Sequence, residues 1–279
     1  MPGTLYVVAT PIGNLEDLTV RARRVLSEVD VIACEDTRHA RVLLSHYGIA
    51  TPMLSYHEQN ERTRAAELVA RLRRGEDVAL ISDAGTPALS DPGFPLIREA
   101  IEAGIAVVAV PGPNAALAAL AVAGLPVNRF LFLGFLPRRS GERIRVLEML
   151  RPAPWTLVIY EAPHRVTALL QDLQRALGDR RLALARELTK RYEEVFRGTV
   201  AQALAHLRSH PPRGEFTVVV EGAAGAAAAG ANSDDARGTM RELLRAGRSP
   251  QDAVAEVMRA SGLPRREVYR LLLEVQGKR

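Results

Sequence analysis

Cysteine is almost missing from this chain: Cys34 stands alone among 279 residues. One thiol excludes an intrachain disulfide and any zinc site built on several cysteines, and it suits a reducing compartment. Long apolar runs are missing too, each being broken by Pro, Gly or a charge well before the roughly 18 residues of a membrane helix, so no span is expected. The start, Met1-Pro2-Gly3-Thr4-Leu5-Tyr6-Val7-Val8, enters a strand-like segment with no basic region ahead of it. No secretory signal is therefore expected, and the expected location is the cytoplasm. No G-x-G-x-x-G follows the first apolar run and there is no Walker loop, which argues against a ligand held by its phosphates. Lysine is scarce as well: only Lys190 and Lys278 occur among 37 basic residues, the rest being Arg.

What is present fits a globular protein, with 47% hydrophobic and 25% charged residues. The net charge of +5 is unevenly placed. Residues 237–279 carry ten basic against five acidic side chains, and the preceding residues are balanced. A basic appendage on a neutral body points to a polyanionic partner, the competing reading being an arginine-rich solvated helix face.

Residues 4–120 alternate short apolar runs with helical patterns. Leu5–Ala9, Val29–Ala33, Met53–Tyr56, Val78–Ile81 and Ala106–Val110 read as strands; Thr19–Glu28, Arg38–His46, Glu61–Arg74 and Pro95–Ala103 read as helices. That order predicts an α/β doubly wound sheet, whose ligands bind beyond the carboxyl ends of the strands. A second α/β unit with a mixed sheet is expected from strands at Phe130–Gly134, Thr156–Tyr160, Leu182–Glu187 and Phe216–Val220, with helices at Arg143–Leu150, Arg165–Leu177 and Val200–Leu207. The expected organisation is an N-terminal α/β domain (1–123), a C-terminal α/β domain (124–222), an Ala/Gly linker (223–236) and a basic helical appendage (237–279). In the appendage three helical patterns, Ala236–Ala246, Pro250–Ser261 and Pro264–Gln276, and the turn at 260–264 have helix-turn-helix character.

The chemistry gathers in the loops after the strands. Asp83-Ala84-Gly85-Thr86-Pro87, continuing to Gly93, is a stiff loop that presents main-chain groups and the Asp83 carboxylate to a small ligand. It also reads as an ordinary strand-to-helix turn with Asp91 as the cap. Pro111-Gly112-Pro113-Asn114-Ala115 is likewise rigid, and the Ala-rich helix after it permits close approach.

Five motifs occur in order: Thr10-Pro11-Ile12-Gly13-Asn14-Leu15-Glu16-Asp17, Cys34-Glu35-Asp36-Thr37-Arg38, Ser82-Asp83-Ala84-Gly85-Thr86-Pro87, Pro111-Gly112-Pro113-Asn114-Ala115 and Tyr160-Glu161-Ala162-Pro163-His164-Arg165. Together, over residues 4–222 and more weakly into the tail, they resemble the ribosomal RNA small subunit methyltransferase I family of the tetrapyrrole-methylase superfamily. The resemblance implies two α/β domains with S-adenosylmethionine in the cleft between them, a homodimer, and 2′-O-methylation of a decoding-centre cytidine in 16S rRNA, presented naked or in the small ribosomal subunit. It places Pro11, Ile12, Gly13, Asp83, Ala84, Gly85, Thr86, Asn114, Ala115, Tyr160 and Glu161 around the donor, although Ser82-Asp83-Ala84 departs from the superfamily's Gly-Asp-Pro.

Given that chemistry, a ribose hydroxyl needs a base or hydrogen-bond acceptor. Lys190 is a candidate, since a buried lysine can lose its proton and arginine does not; the alternative is a surface lysine. Glu187 could orient the hydroxyl or simply pair with Arg186 or Lys190. Asp36 and Arg38 could contact RNA, or Asp36 could cap a helix. His57 and Glu58 could hold RNA or move a proton, or be solvated. His164 and Arg165 suit phosphate contact, or a helix start. No metal is required. Two other functions fit parts of the sequence: a tetrapyrrole methyltransferase, and a non-enzymatic helix-turn-helix regulator that binds nucleic acid.

Overall fold

The computed structural model describes residues 1–223, 233–261, 263 and 265–276. Most of the expected linker, together with Gly262, Pro264 and Lys278, lies outside the described residues. The first sheet is wholly parallel, in the order β3-β2-β4-β1-β5, from β1 (Thr4–Val8), β2 (Val31–Cys34), β3 (Met53–Ser55), β4 (Val78–Ile81) and β5 (Ala106–Val110). β2 and β4 are buried at every residue, as continuous apolar runs must be when helices cover both faces. Those helices are α1 (Val20–Glu28), α2 (Thr37–His46), α3 (Glu61–Arg73) and α4 (Phe94–Glu102). Since β1 lies between β4 and β5, the chain reverses its winding there, and the loops after β1 and β4 meet at the switch point where such sheets bind ligands.

The second sheet is mixed, in the order β6-β7-β10-β8-β9, from β6 (Phe130–Phe135), β7 (Thr156–Glu161), β8 (Arg181–Arg186), β9 (Glu194–Thr199) and β10 (Phe216–Val220). Only β6 and β7 pair in parallel. β9 is a strand the sequence does not announce: Glu-Val-Phe-Arg-Gly-Thr has little apolar content, and its pairing comes from β8 across a hairpin. Helices α6 (Ser140–Met149), α7 (Pro163–Leu177) and α8 (Val200–Ser209) cover one face with an aliphatic core.

Helix α5 (Ala115–Ala123) joins the two halves. Its small side chains let it lie close against the inner face of the second sheet, where Ala116, Ala119, Leu120 and Ala123 share a core with Ile12, Val158, Ala183, Ala185 and Val219. The carboxyl-end loops of the first sheet are thereby fixed against the second. In the tail, α9 (Ser233–Arg245), α10 (Pro250–Ser261) and α11 (Arg265–Val275) bury a core of their own that includes Met240, Val257, Val268 and Leu271. Among the described residues no helix is long and apolar enough to cross a membrane.

Candidate active site

The loops after β1, β4 and β5 are stitched to one another. Thr10 and Gly85 exchange main-chain hydrogen bonds, Thr10 N–H to Gly85 O at 2.9 Å and Gly85 N–H to Thr10 O at 3.1 Å. Gly85 sits at φ +84°, a left-handed backbone that glycine adopts without strain. The Asn114 amide donates to Thr86 Oγ1 at 3.3 Å while its oxygen caps α5 by accepting from Leu117 N–H at 3.1 Å. From the other half, Tyr160 Oη accepts from Ala116 N–H at 3.1 Å, and burial pushes the phenol pKa up. The two sheets thus share the first turn of α5.

Between them lies a cleft of about 560 Å³, within the range of small-molecule sites. Of the residues expected to hold a donor, Ile12, Asp83, Ala84, Gly85, Thr86, Asn114, Ala115, Tyr160 and Glu161 line it. Pro11 and Gly13 do not. Gly13 instead lets the β1 loop pack on the Lys190 stem, for a Cβ there would stand 2.3 Å from Lys190 Cγ.

The cleft is acidic on the first-sheet side, where Glu35, Asp83 and Asp91 line it. Burial, then the charges of Asp83 and Asp91, push the Glu35 pKa up, and burial with the Asp83 charge does the same to Asp91 despite a hydrogen bond from Ser82. Asp83 also anchors the neighbouring loop, its Oδ1 accepting from Asp36 N–H at 3.1 Å. Asp91 does not cap α4; the cap is Gly93, at φ +147°, with no side-chain hydrogen bond. Cys34, at the end of β2, is buried, and burial followed by Asp83 and Asp36 takes its thiol to about 12, so it is inert as a nucleophile.

On the second-sheet side Lys190 lines the cleft, its ammonium donating to Glu187 Oε1 at 2.9 Å and Glu215 Oε2 at 2.8 Å. Partial burial alone lowers its pKa, but these two hydrogen bonds outweigh it and hold the amine above its ordinary value. The geometry speaks against a Lys190 that loses a proton easily: its ammonium is engaged by two carboxylates, which are the hydrogen-bond acceptors at this point. Glu187 is held below its ordinary value, since Lys190 and the Glu215 N–H together overcome the cost of its burial. Glu187 and Thr189 sit at φ +50° and +65°, so this cluster stabilises a strained turn.

The expected RNA contacts divide. His164 lines the cleft in the first turn of α7. Arg165 is engaged inside, donating to Leu136 O at 2.8 Å and paired with buried Glu161 at 3.1 Å, so the phosphate contact expected of it is taken by structure. Asp36 caps α2 by accepting from Arg38 N–H at 2.8 Å, and the Arg38 guanidinium on it holds its carboxyl well below the usual range. His57 and Glu58 lie outside the cleft lining; His57 N–H donates to Asn60 Oδ1 at 2.8 Å in a local turn. Glu35, Asp91, Phe135 and Glu215 line the cleft and are not expected from the sequence as site residues, Asp91 being read there as a helix cap. Glu35, next to the chosen Asp36, carried the nearest signal. Among the described residues no group of His, Cys, Asp and Glu side chains is placed to hold a metal ion.

A parallel sheet coupled through one small-residue helix to a mixed sheet, with a cleft on the carboxyl-end loops, is the architecture of a methyltransferase class: residues 4–204 match the family Tetrapyrrole (Corrin/Porphyrin) Methylases. A uroporphyrin-III C-methyl transferase from Thermus thermophilus, solved in complex with S-adenyl homocysteine, has the same fold at a TM-score of 0.55 and 21% identity, over 78% of this chain and 97% of its own. Residues 230–276 match the RsmI C-terminal HTH domain. Curated proteins named ribosomal RNA small subunit methyltransferase I are 45% identical over 276 residues in Synechocystis sp. and 46% over 280 residues in Pseudomonas aeruginosa, each alignment covering 99% of both chains. The chain belongs to the ribosomal RNA small subunit methyltransferase I family.

Proposed function

We propose that this methyltransferase transfers a methyl group from S-adenosylmethionine to the ribose 2′-hydroxyl of a decoding-centre cytidine of 16S rRNA, cytidine 1402, acting in the cytoplasm as a homodimer. The observation that carries the substrate class is likeness along the whole chain, tail included, to proteins named for the small-subunit RNA. The basic tail adds support, since a tetrapyrrole substrate gives it no task and counterion release from RNA does. A purely DNA-reading regulator leaves the stitched loops and their cleft without use.

The cleft fits the proposed donor. S-adenosylmethionine supplies an electrophilic methyl on a sulfonium, and its charge at that atom disappears on transfer. The carboxylates of Glu35, Asp83 and Asp91 favour a bound cation, and binding one relieves the repulsion that, after burial, raises the pKa of Glu35 and Asp91. Gly85, Thr86, Asn114 and Ala115 offer main-chain and side-chain hydrogen-bonding groups, with Ile12 and Tyr160 as apolar walls. Opposite them Glu215 meets the acceptor hydroxyl, an Oε atom accepting its hydrogen, while the Lys190 ammonium, itself braced by Glu187 behind the cleft lining, holds that carboxylate in place. Most of the acceleration then comes from alignment, with the acceptor oxygen held in line by these groups. His164 meets the RNA at the rim.

The homodimer is supported by exposed apolar side chains on the edge strand β5, on α5, in the segment leading to β6 and at the start of β6: Val108, Leu117, Val122, Val127 and Phe130. The test is mass spectrometry of 16S rRNA from cells with and without the gene. A 2′-O-methyl group that vanishes with the gene supports the proposal, and an identical pattern refutes it.

A further inference from the structure

Phe135 is exposed for 56% of its surface although everything around it is fixed. β6 and β7 pair with a register shift between Phe132 and Gly134, and Gly134 takes the left-handed φ of +58°. Such a bulge inserts one residue and re-aims the side chains after it. Without it, Phe135 would alternate onto the helix-covered face. With it, Phe132 and Phe135 both lie beside Tyr160, at ring-centroid distances of 5.0 and 5.7 Å, and Leu136 returns to the core. The backbone beyond the ring is then clamped. Arg165 donates to Leu136 O at 2.8 Å, and Arg143 donates to Pro137 O at 3.1 Å from a buried ion pair with Asp172 at 2.5 Å.

A facing lip comes from the first half. Leu89 is 46% exposed and lines the same cleft, between Ala88 at φ +67° and Ser90 at φ +68°. Two non-glycine residues in the left-handed region, one on each side of Leu89, mark a strained loop. That loop presses on the bulge: a Cβ added to Gly134 would stand 2.6 Å from Ser90 Oγ. The bulge and the strained loop therefore meet, and each presents one exposed apolar side chain to the cleft, beside the acidic wall of Glu35, Asp83 and Asp91.

Two apolar lips, one aromatic, suit a flat neutral group. Acidic walls beyond them disfavour a phosphate and accept a base or sugar. We infer that Phe135 and Leu89 clamp the base of the acceptor nucleotide, so that this nucleotide is unstacked and unpaired when its ribose reaches Glu215. The inference deepens the proposed RNA methylation and rests on it.

The test uses small ribosomal subunits from cells lacking the methyltransferase, with the full chain as wild type, Phe135→Ala, Phe135→Trp and Leu89→Ala. Stacking of one base on one aromatic ring corresponds to roughly 5- to 150-fold in affinity. Phe135→Ala should weaken subunit binding, measured without any methyl donor, by about ten-fold or more within that range, and lower kcat/KM for subunits in parallel. Phe135→Trp should restore both, Leu89→Ala should show a smaller loss, and any loss of S-adenosylmethionine affinity by calorimetry should be several-fold smaller than the loss of subunit affinity. Unchanged subunit binding by Phe135→Ala overturns the clamp. So does an equal loss of S-adenosylmethionine affinity, which would put the ring on the donor, or a change from dimer to monomer on a sizing column, which would put it in an interface. If wild-type protein fails to methylate subunits at all, the proposed activity is what fails.

Discussion

Replacing Lys190 by Met keeps the stem that packs on Gly13 and removes the cation between Glu187 and Glu215. The Lys190–Glu187 hydrogen bond, 2.9 Å long between side chains 28% and 19% exposed, belongs with charge-assisted bonds worth roughly 1.5–3 kcal/mol. The partner in Glu215 is 76% exposed, so that contact adds only about 0–1 kcal/mol after solvent screening. Lys190→Met should therefore destabilise the fold by about 2 kcal/mol, or roughly 4–8 °C in Tm for a domain near 200 residues. The pH dependence is the sharper readout. Glu187 has a lowered pKa, so its contribution is present above the unfolded carboxylate value and lost as pH falls through the folded one; Lys190 has a raised pKa, so its contribution is present below the unfolded amine value and lost as pH rises through the folded one. The stability gap between wild type and variant should be level from about pH 5 to about pH 10 and close on both sides. Thermal melts across that range measure it. A gap already closed by pH 8 would mean that Lys190 titrates low, as a proton acceptor would, and would refute the carboxylate assignment.

Other outcomes follow from the same geometry. Because Glu35 and Asp91 titrate above ordinary carboxylates, S-adenosylmethionine affinity should fall as pH drops from neutral towards the carboxylate range, while the contribution of these two groups to the stability of the free protein rises, protons binding more tightly to the folded form. Calorimetry and melts at matched pH check this, and a flat affinity contradicts it. Gly13→Ala places a methyl 2.3 Å from Lys190 Cγ at φ +149°, so methylation should fall at least ten-fold, with a drop in Tm; normal turnover would contradict the packing. Leu117→Asp puts a charge on the α5 surface and should yield monomers by light scattering, whereas an unaltered dimer would move the interface elsewhere. Removing residues 237–279 should leave the melting of the body within a few degrees, since the tail has its own core, and should weaken subunit binding with a shallower salt dependence.

Much of the fold is legible in the sequence because the determinants are local. Val78–Ile81 is an unbroken apolar run between Gly75 and the Asp83 loop, and it becomes a fully buried central strand. Asp36 reads as either cap or RNA contact, and its carboxylate is on the α2 main chain. What escapes is non-local. Glu215 lies 25 residues from Lys190 and meets it only because β10 pairs with β8. Phe135 falls just beyond the expected strand Phe130–Gly134, and it is the Gly134 bulge that turns it to the cleft. Asp91 looks like a helix cap, and the left-handed residues Ala88 and Ser90 carry it inward instead. β9 has only a short apolar signature, Val195 and Phe196, and as an edge strand it takes its register from β8.

Purified protein, S-adenosylmethionine with an isotopically labelled methyl group and unmethylated small ribosomal subunits make the most direct trial of the central claim, read by nuclease digestion and mass spectrometry of the 16S rRNA. The account predicts one labelled nucleoside, a cytidine of the decoding centre with the methyl on its ribose 2′-oxygen. Label on a base, label elsewhere in the RNA, or no transfer to RNA would contradict it.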